Sequence, residues 1–179
     1  MTTDKVLWQR FKEGSEAALS EIYHREVDHL YAYGLKFTGD KQMVLDAVQD
    51  LFVALMRSRH KLGATDNIRF YLLRALRRRL ASEVKRGGRY TSLEKLQEFS
   101  VRPVEEGLIH EEGEQEKRNL LSQGLASLSQ AQREALHYRY FSELSYDEIA
   151  QIMEMKQATV RQLVSRGIQA LKRFWNGLE

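Results

Sequence analysis

Apolar residues along this chain recur at steps of three and four rather than two, the spacing that puts them on one face of a helix. Val6, Leu7, Trp8 and Phe11 mark a first short helix from about Asp4 to Glu13, with Thr3 as its N-cap and Gly14 as its stop. Ser15 caps a second helix, whose stripe of Leu19, Ile22, Tyr23, Val27, Leu30, Tyr31, Gly34 and Leu35 runs to the Thr38-Gly39 stop. Asp40 caps a third. Its stripe, Val44, Leu45, Val48, Leu51, Phe52 and Leu55, leaves Asp46, Gln49 and Asp50 together on the opposite face. After a loop from Ser58 to Asp66, a fourth helix from about Asn67 to Arg86 turns Phe70, Leu72, Leu73, Leu76, Leu80 and Val84 inward and keeps its arginines on the remaining surface.

The helical period is then lost. Gly87-Gly88 stops the fourth helix, and Pro103 stands with Gly107 and Gly113 in a stretch with no sustained periodicity. Residues 88–113 therefore read as a linker between a domain at 1–87 and another at 114–179. A flexible segment of that length spans about 30 Å on average and stretches to about 90 Å, so the two domains can engage well separated sites.

Beyond the linker the period returns. Ser129 caps a helix from about Gln130 to Phe141 with Leu136 and Tyr140 inward, and Ser145-Tyr146-Asp147-Glu148 is a capping box opening a short helix with Ile149, Ala150, Ile152 and Met153. A tight connection through Met155 leads to a last helix from Gln157 to about Trp175. There Val160, Leu163, Val164, Gly167, Ile168, Leu171 and Phe174 face inward, while Arg161, Gln162, Ser165, Arg166 and Gln169 point outward. This is the pattern of a helix-turn-helix, whose second helix lies in the major groove. Arginine and glutamine there can make bidentate contacts to guanine or adenine, and Thr159 and Arg166 can hold phosphates. A helical hairpin with a polar surface is the plainer alternative.

Composition narrows the class further. One proline in 179 residues and few β-branched runs favour an all-α protein of two small helical domains. No cysteine excludes disulfides, thiolate metal sites and cysteine nucleophiles, and suits a reducing cytoplasm. The first residues lack a signal sequence, and the longest apolar run, Leu51 to Met56, is far short of the roughly 20 residues a bilayer span needs, so a soluble cytoplasmic protein is expected.

The net charge of +3 hides strong segregation. Residues 1–65 balance, nine bases to nine acids, but 66–93 carry eight bases (Arg69, Arg74, Arg77, Arg78, Arg79, Lys85, Arg86, Arg89) against Asp66 and Glu83. Residues 94–132 reverse the sign with eight acids to four bases, and the last 25 residues hold five bases against Glu179. The arginines of the fourth helix, interleaved with Phe70, Tyr71 and Tyr90, fit a phosphate-tracking surface with stacking platforms; a solvated charged face is the bland alternative.

Catalytic chemistry finds little support. Glu21 with His24 and Glu26 with His29 repeat the Glu-x-x-His spacing of di-metal bundles. Both pairs lie on one helix five residues apart, about 140° around its axis, and cannot meet. They read as exposed polar residues, and no metal or cofactor is expected. His60, His110 and His137 form no cluster and no nucleophile–base pair is legible, so an enzyme is not expected.

The stretches Gly14-Ser15-Glu16-Ala17-Ala18-Leu19 with Ile22-Tyr23, Asp46-Ala47-Val48-Gln49-Asp50-Leu51-Phe52, Tyr71-Leu72-Leu73-Arg74-Ala75-Leu76-Arg77, Leu144-Ser145-Tyr146-Asp147-Glu148-Ile149-Ala150 and Ala158-Thr159-Val160-Arg161 follow one another in order. Together they resemble a bacterial RNA polymerase sigma factor of the small, two-domain extracytoplasmic-function class. The resemblance implies that Asp46, Gln49 and Asp50 dock on the clamp helices of the largest subunit of core RNA polymerase, where acidic side chains can pair with arginines. It implies that the Lys61 to Asn67 loop and the start of the fourth helix with Arg69 engage the minus-10 promoter element, capturing an unstacked base, while Arg74, Arg77 and Arg78 hold phosphate. Lys156, Gln157, Thr159, Arg161, Gln162, Ser165 and Arg166 would meet the minus-35 element. Catalysis would belong to the polymerase, and an anti-sigma factor would be a partner. The acidic linker would be drawn into a basic channel of the polymerase, serve as a solvated tether, or fold back on the Arg69 to Arg89 stripe. Where the family usually has glycine in the helix-turn-helix turn this chain has Glu154, which predicts a different backbone geometry or strain. Two other readings compete: a stand-alone helix-turn-helix regulator whose N-terminal domain binds a ligand or dimerises, and a helical metalloenzyme.

Overall fold

The computed structural model describes residues 3–87 and 123–177, and the chain divides into two units, Met1–Tyr90 and Thr91–Glu179. The linker expected at 88–113 and the domain start expected at 114 lie outside the described residues.

In the first unit the helix boundaries follow from local chemistry. Helix α1 (Asp4–Lys12) gives way to α2 (Glu16–Thr38), whose first turn is capped by Ser15 accepting from the Ala18 N–H at 3.2 Å. Gly39 closes α2 in the left-handed conformation at φ 72°, its N–H bonded to Leu35 O, and Asp40 then caps α3 (Lys41–Ser58) by accepting from Met43 N at 3.0 Å. A 3-10 turn over Arg59–Lys61 and a short loop precede α4 (Ile68–Gly87), capped by Asn67 Oδ1 accepting from Phe70 N at 2.9 Å. α2 packs against α1, α3 and α4, and α3 against α4. Leu7, Trp8 and Phe11 of α1 close the core over Ile22, Leu30, Val48, Leu51, Leu72, Leu73 and Leu76, with the Trp8 ring 4.9 Å from that of Tyr71.

Four side-chain expectations are corrected here. Tyr23 and Leu45, read as buried, are exposed, and Ile68, outside the expected stripe of α4, is fully buried. The stripe of α2 is rotated toward Ala18, Ile22, Glu26, Leu30, Tyr33 and Thr38, because three neighbouring helices contact α2 and a single-face count cannot say where their combined footprint is centred. Glu26, read as exposed, is buried against two arginines.

In the second unit the first described residues, 123–126, are helical, and their end is held by Arg133 Nη1 donating to the carbonyls of Leu125 and Leu128. Then come α5 (Gln130–Tyr140), α6 (Tyr146–Met153) and α7 (Gln157–Asn176), mutually packed. Capping boxes open both α5 (Ser129 with Gln132) and α6 (Ser145 with Glu148). The core is Leu128, Ala135, Leu136, Tyr138, Leu144, Ile149, Ile152, Met153, Val160 and Val164. Tyr140, expected inward, is exposed: it is the last residue of α5, beyond the buried run Ala135, Leu136, His137 and Tyr138. Glu154 takes the left-handed conformation at φ 55°, ψ 42°, so the turn keeps a glycine-like geometry with a side chain that disfavours it.

Candidate nucleic-acid interfaces and docking face

The polar face of α3 presents Asp46, Gln49 and Asp50 side by side and exposed. Each carboxylate has one light tether: Gln42 Nε2 donates to Asp46 Oδ1 at 2.9 Å, and Arg79 Nη1 of α4 to Asp50 Oδ2 at 3.1 Å. An exposed amide hydrogen bond and an exposed ion pair are each worth little, so both carboxylates stay available to a partner's cations. Between α2 and α3 a shallow groove is lined by Leu19, Tyr23, Phe52 and Met56 with Glu16 and Ser20.

The loop before α4 is held from several sides. Trp8 Nε1 donates to Gly63 O at 2.9 Å; Thr65 Oγ1 accepts from Asn67 N and donates to Asn67 O; Asp4 Oδ2 accepts from Ile68 N at 2.7 Å. Lys61 is exposed, whereas Asn67 is half-buried with its side chain committed to the cap. Along α4, Arg74 and Arg78 are exposed and Arg77 is half-buried. Arg69 is different: its Nε donates to the buried Glu26 Oε2 at 2.8 Å. Arg25 donates to Asp4 Oδ1 at 2.6 Å, and this bond holds its guanidinium above the usual arginine range against the desolvation it also suffers. Lys61, Asn67, Arg69, Arg74, Arg77 and Arg78 thus follow one another from the loop into α4, but among these six only Lys61, Arg74 and Arg78 are exposed.

In the second unit Lys156, at the N-cap of α7, and Thr159, Arg161, Gln162, Ser165 and Arg166 on it are exposed, and Gln157 is half-buried. Gln157 Nε2 donates to Asp147 Oδ1 of α6 at 2.8 Å, which leaves its carbonyl oxygen to face outward chemistry. The Arg161 guanidinium lies 4.6 Å from the centroid of the Tyr146 ring, and Arg139 from α5 lies 5.0 Å from the same ring. Tyr146 and Asp147, neither singled out in the sequence, therefore hold two of the outward residues of α7 in place. Their sequence signals are membership of the capping box and of the Leu144 to Ala150 stretch; the contacts need the α6–α7 geometry. Among the described residues no three His, Asp or Glu side chains come together as a metal site, and no helix is long and apolar enough to cross a membrane.

Known proteins match this arrangement. The family model for Sigma-70 region 2 matches residues 22–90 and that for Sigma-70, region 4 matches residues 124–173, together about two thirds of the chain. The ECF RNA polymerase sigma factor SigM of Bacillus subtilis (strain 168) is 24% identical over 161 residues, covering 88% of this chain and 95% of that protein. Among solved structures, the sigma factor RpoE of Bartonella quintana, in complex with the anti-sigma factor NepR, superposes with a TM-score of 0.63 at 21% identity over 88% of this chain and 96% of its own. CnrH, in complex with the cytosolic domain of CnrY, gives a TM-score of 0.66 at 17% identity over 97% of each chain. At these identities the two structures support the fold, and the ordered pair of region models supplies the family. The chain belongs to the sigma-70 family and is an extracytoplasmic-function sigma factor built from regions 2 and 4.

Proposed function

We propose that this chain binds core RNA polymerase in the cytoplasm and directs it to promoters, with no catalytic chemistry of its own. Region 2, over 1–87, docks on the clamp helices through Asp46, Gln49 and Asp50 and meets the minus-10 element with Lys61, Asn67, Arg74, Arg77 and Arg78. Region 4, over 114–179, reads the minus-35 element from α7 through Lys156, Gln157, Thr159, Arg161, Gln162, Ser165 and Arg166. The acidic segment 88–113 joins them. The observation that carries this reading is the succession of a region 2 match and a region 4 match on one chain, each on a separately packed helical unit. It also removes the main attraction of a stand-alone regulator, because the N-terminal unit is itself sigma region 2. An anti-sigma factor that covers these faces is a further expected partner, as it is for RpoE in the solved complex with NepR.

Docking is tested by charge reversal. Asp46→Arg combined with Asp50→Arg is expected to reduce co-purification with core polymerase to background while the far-ultraviolet circular dichroism of the chain stays unchanged. Both residues are exposed and their tethers weak, so the fold has little to lose. Retention of polymerase by the double variant at the wild-type level would refute the docking assignment.

A further inference from the structure

One buried charge in region 2 has no part in docking or in phosphate contact. Glu26 sits mid-way along α2 with a side chain only 1% exposed, and arginines approach both its oxygens: Arg69 Nε at 2.8 Å from Oε2 and Arg25 Nη2 at 3.4 Å from Oε1. The same Arg25 Nη2 donates to Asp4 Oδ1 at 2.6 Å, and the other oxygen of Asp4 accepts from the backbone N–H of Ile68 at 2.7 Å. The path therefore closes on itself. It leaves the first residue of α4 through Ile68 N, crosses the start of α1 and the middle of α2, and returns to the second residue of α4 through the Arg69 side chain. Two acids and two bases balance within it, and Asp4 also satisfies one of the N–H groups that a helix start leaves without an intrahelical partner.

We infer that Asp4, Arg25, Glu26 and Arg69 form a positioning network that fixes the first turn of α4 and the loop leading into it, and that Arg69 acts there rather than as a phosphate ligand. This rests on the proposed minus-10 role of the loop and α4. Were Arg69 to swing out to a phosphate, it would leave Glu26 as a buried carboxylate short of its nearest cation, a strongly unfavourable exchange. Arg74 and Arg78, exposed further along the helix, face no such competition from an ion pair among the described residues. The network also acts where precision matters: with the Trp8 bond to Gly63 O, it anchors both the start and the end of the 62–67 loop.

Two measurements separate a positioning arginine from a phosphate contact. Holoenzyme reconstituted from core polymerase and the full chain is titrated, over a range of salt, with a single-stranded oligonucleotide that the wild-type holoenzyme has selected from a randomised pool. Loss of one phosphate contact lowers the slope of log affinity against log salt by about 0.7 for a single strand. Arg74→Gln is expected to show that loss. Arg69→Gln and Glu26→Gln are expected to weaken binding about tenfold or more at every salt with the slope unchanged, and Arg69→Lys to recover most of the affinity. In parallel, amide hydrogen exchange of the free chain is expected to accelerate at 62–70 in Glu26→Gln and in the milder Asp4→Asn, with α3 unaffected. A slope loss in Arg69→Gln equal to that of Arg74→Gln overturns the inference, and so does unchanged exchange at 62–70 in both Glu26→Gln and Asp4→Asn. Accelerated exchange with a slope that neither arginine variant moves upholds the network and instead removes α4 from the minus-10 reading.

Discussion

Glu154 shows how one residue carries a family geometry in an unfavourable form. It ends α6 in the left-handed conformation, with the Met155 N–H reaching back to Ala150 O at 3.0 Å, and both are needed to aim α7 away from α6. A side chain with Cβ costs about 1–2 kcal/mol there, and glycine would return part of that to the more flexible unfolded chain. Glu154→Gly is therefore expected to stabilise the second unit by about 1 kcal/mol, a rise of about 4–8 °C in the thermal midpoint of a unit this small. A midpoint that falls, measured by circular dichroism, would show that the glutamate contributes something its backbone strain conceals. The helix caps at Ser15, Asp40, Ser129 and Ser145 were all legible in the sequence, because each bond closes within three residues. The Glu26–Arg69 pair was not: its members are 43 residues apart, and a charge inside a helical pattern defaults to the solvent face unless its partner is known. The same holds for Tyr146 beneath Arg161, which only the packing of α6 on α7 reveals.

Helices in region 2 lie close enough for single atoms to matter. A Cβ on Gly34 of α2 would stand 2.5 Å from Val44 Cγ1 and 3.1 Å from Cγ2 on α3, and a β-branched valine has no alternative rotamer to retreat into cheaply. This close approach sets how α3 lies on α2, and so how its Asp46, Gln49 and Asp50 face is presented. Gly34→Ala should gain up to about 1 kcal/mol of helix propensity yet lose about 1–3 kcal/mol to overpacking. Net destabilisation is expected, read as a lower midpoint in urea; a higher midpoint would mean that the two helices part without penalty. Seven helices and their order were legible because their amphipathic stripes are long and interrupted by clear stops, whereas the helical residues 123–126, which carry no such stripe, were not. The facing of each stripe was less so. Leu45 and Tyr23 fit the three-four period yet are exposed, since periodicity counts apolar residues whereas burial depends on where the neighbouring helices end. Tyr140 failed for the same reason at the end of α5.

Across the whole molecule, the segregation of charge is what a two-handed DNA-binding protein requires. Basic residues cluster at 66–93 and in the last 25 residues, with an excess of acids between them, so a sum of +3 conceals two basic segments, one in each unit of the proposed promoter reader. The division into two units and the identity of both were legible from motifs in sequence order; which of the basic residues are bound up in internal pairs was not, and Arg69 and Arg79 prove to be two of them. The most direct measurement is run-off transcription with core polymerase, purified chain and fragments of DNA from the same cell. A sigma factor adds discrete transcripts that core polymerase alone does not make, from start sites sharing a minus-10 and a minus-35 element. Tight binding of duplex DNA by the chain without polymerase, and no new transcript in its presence, would contradict the sigma-factor function.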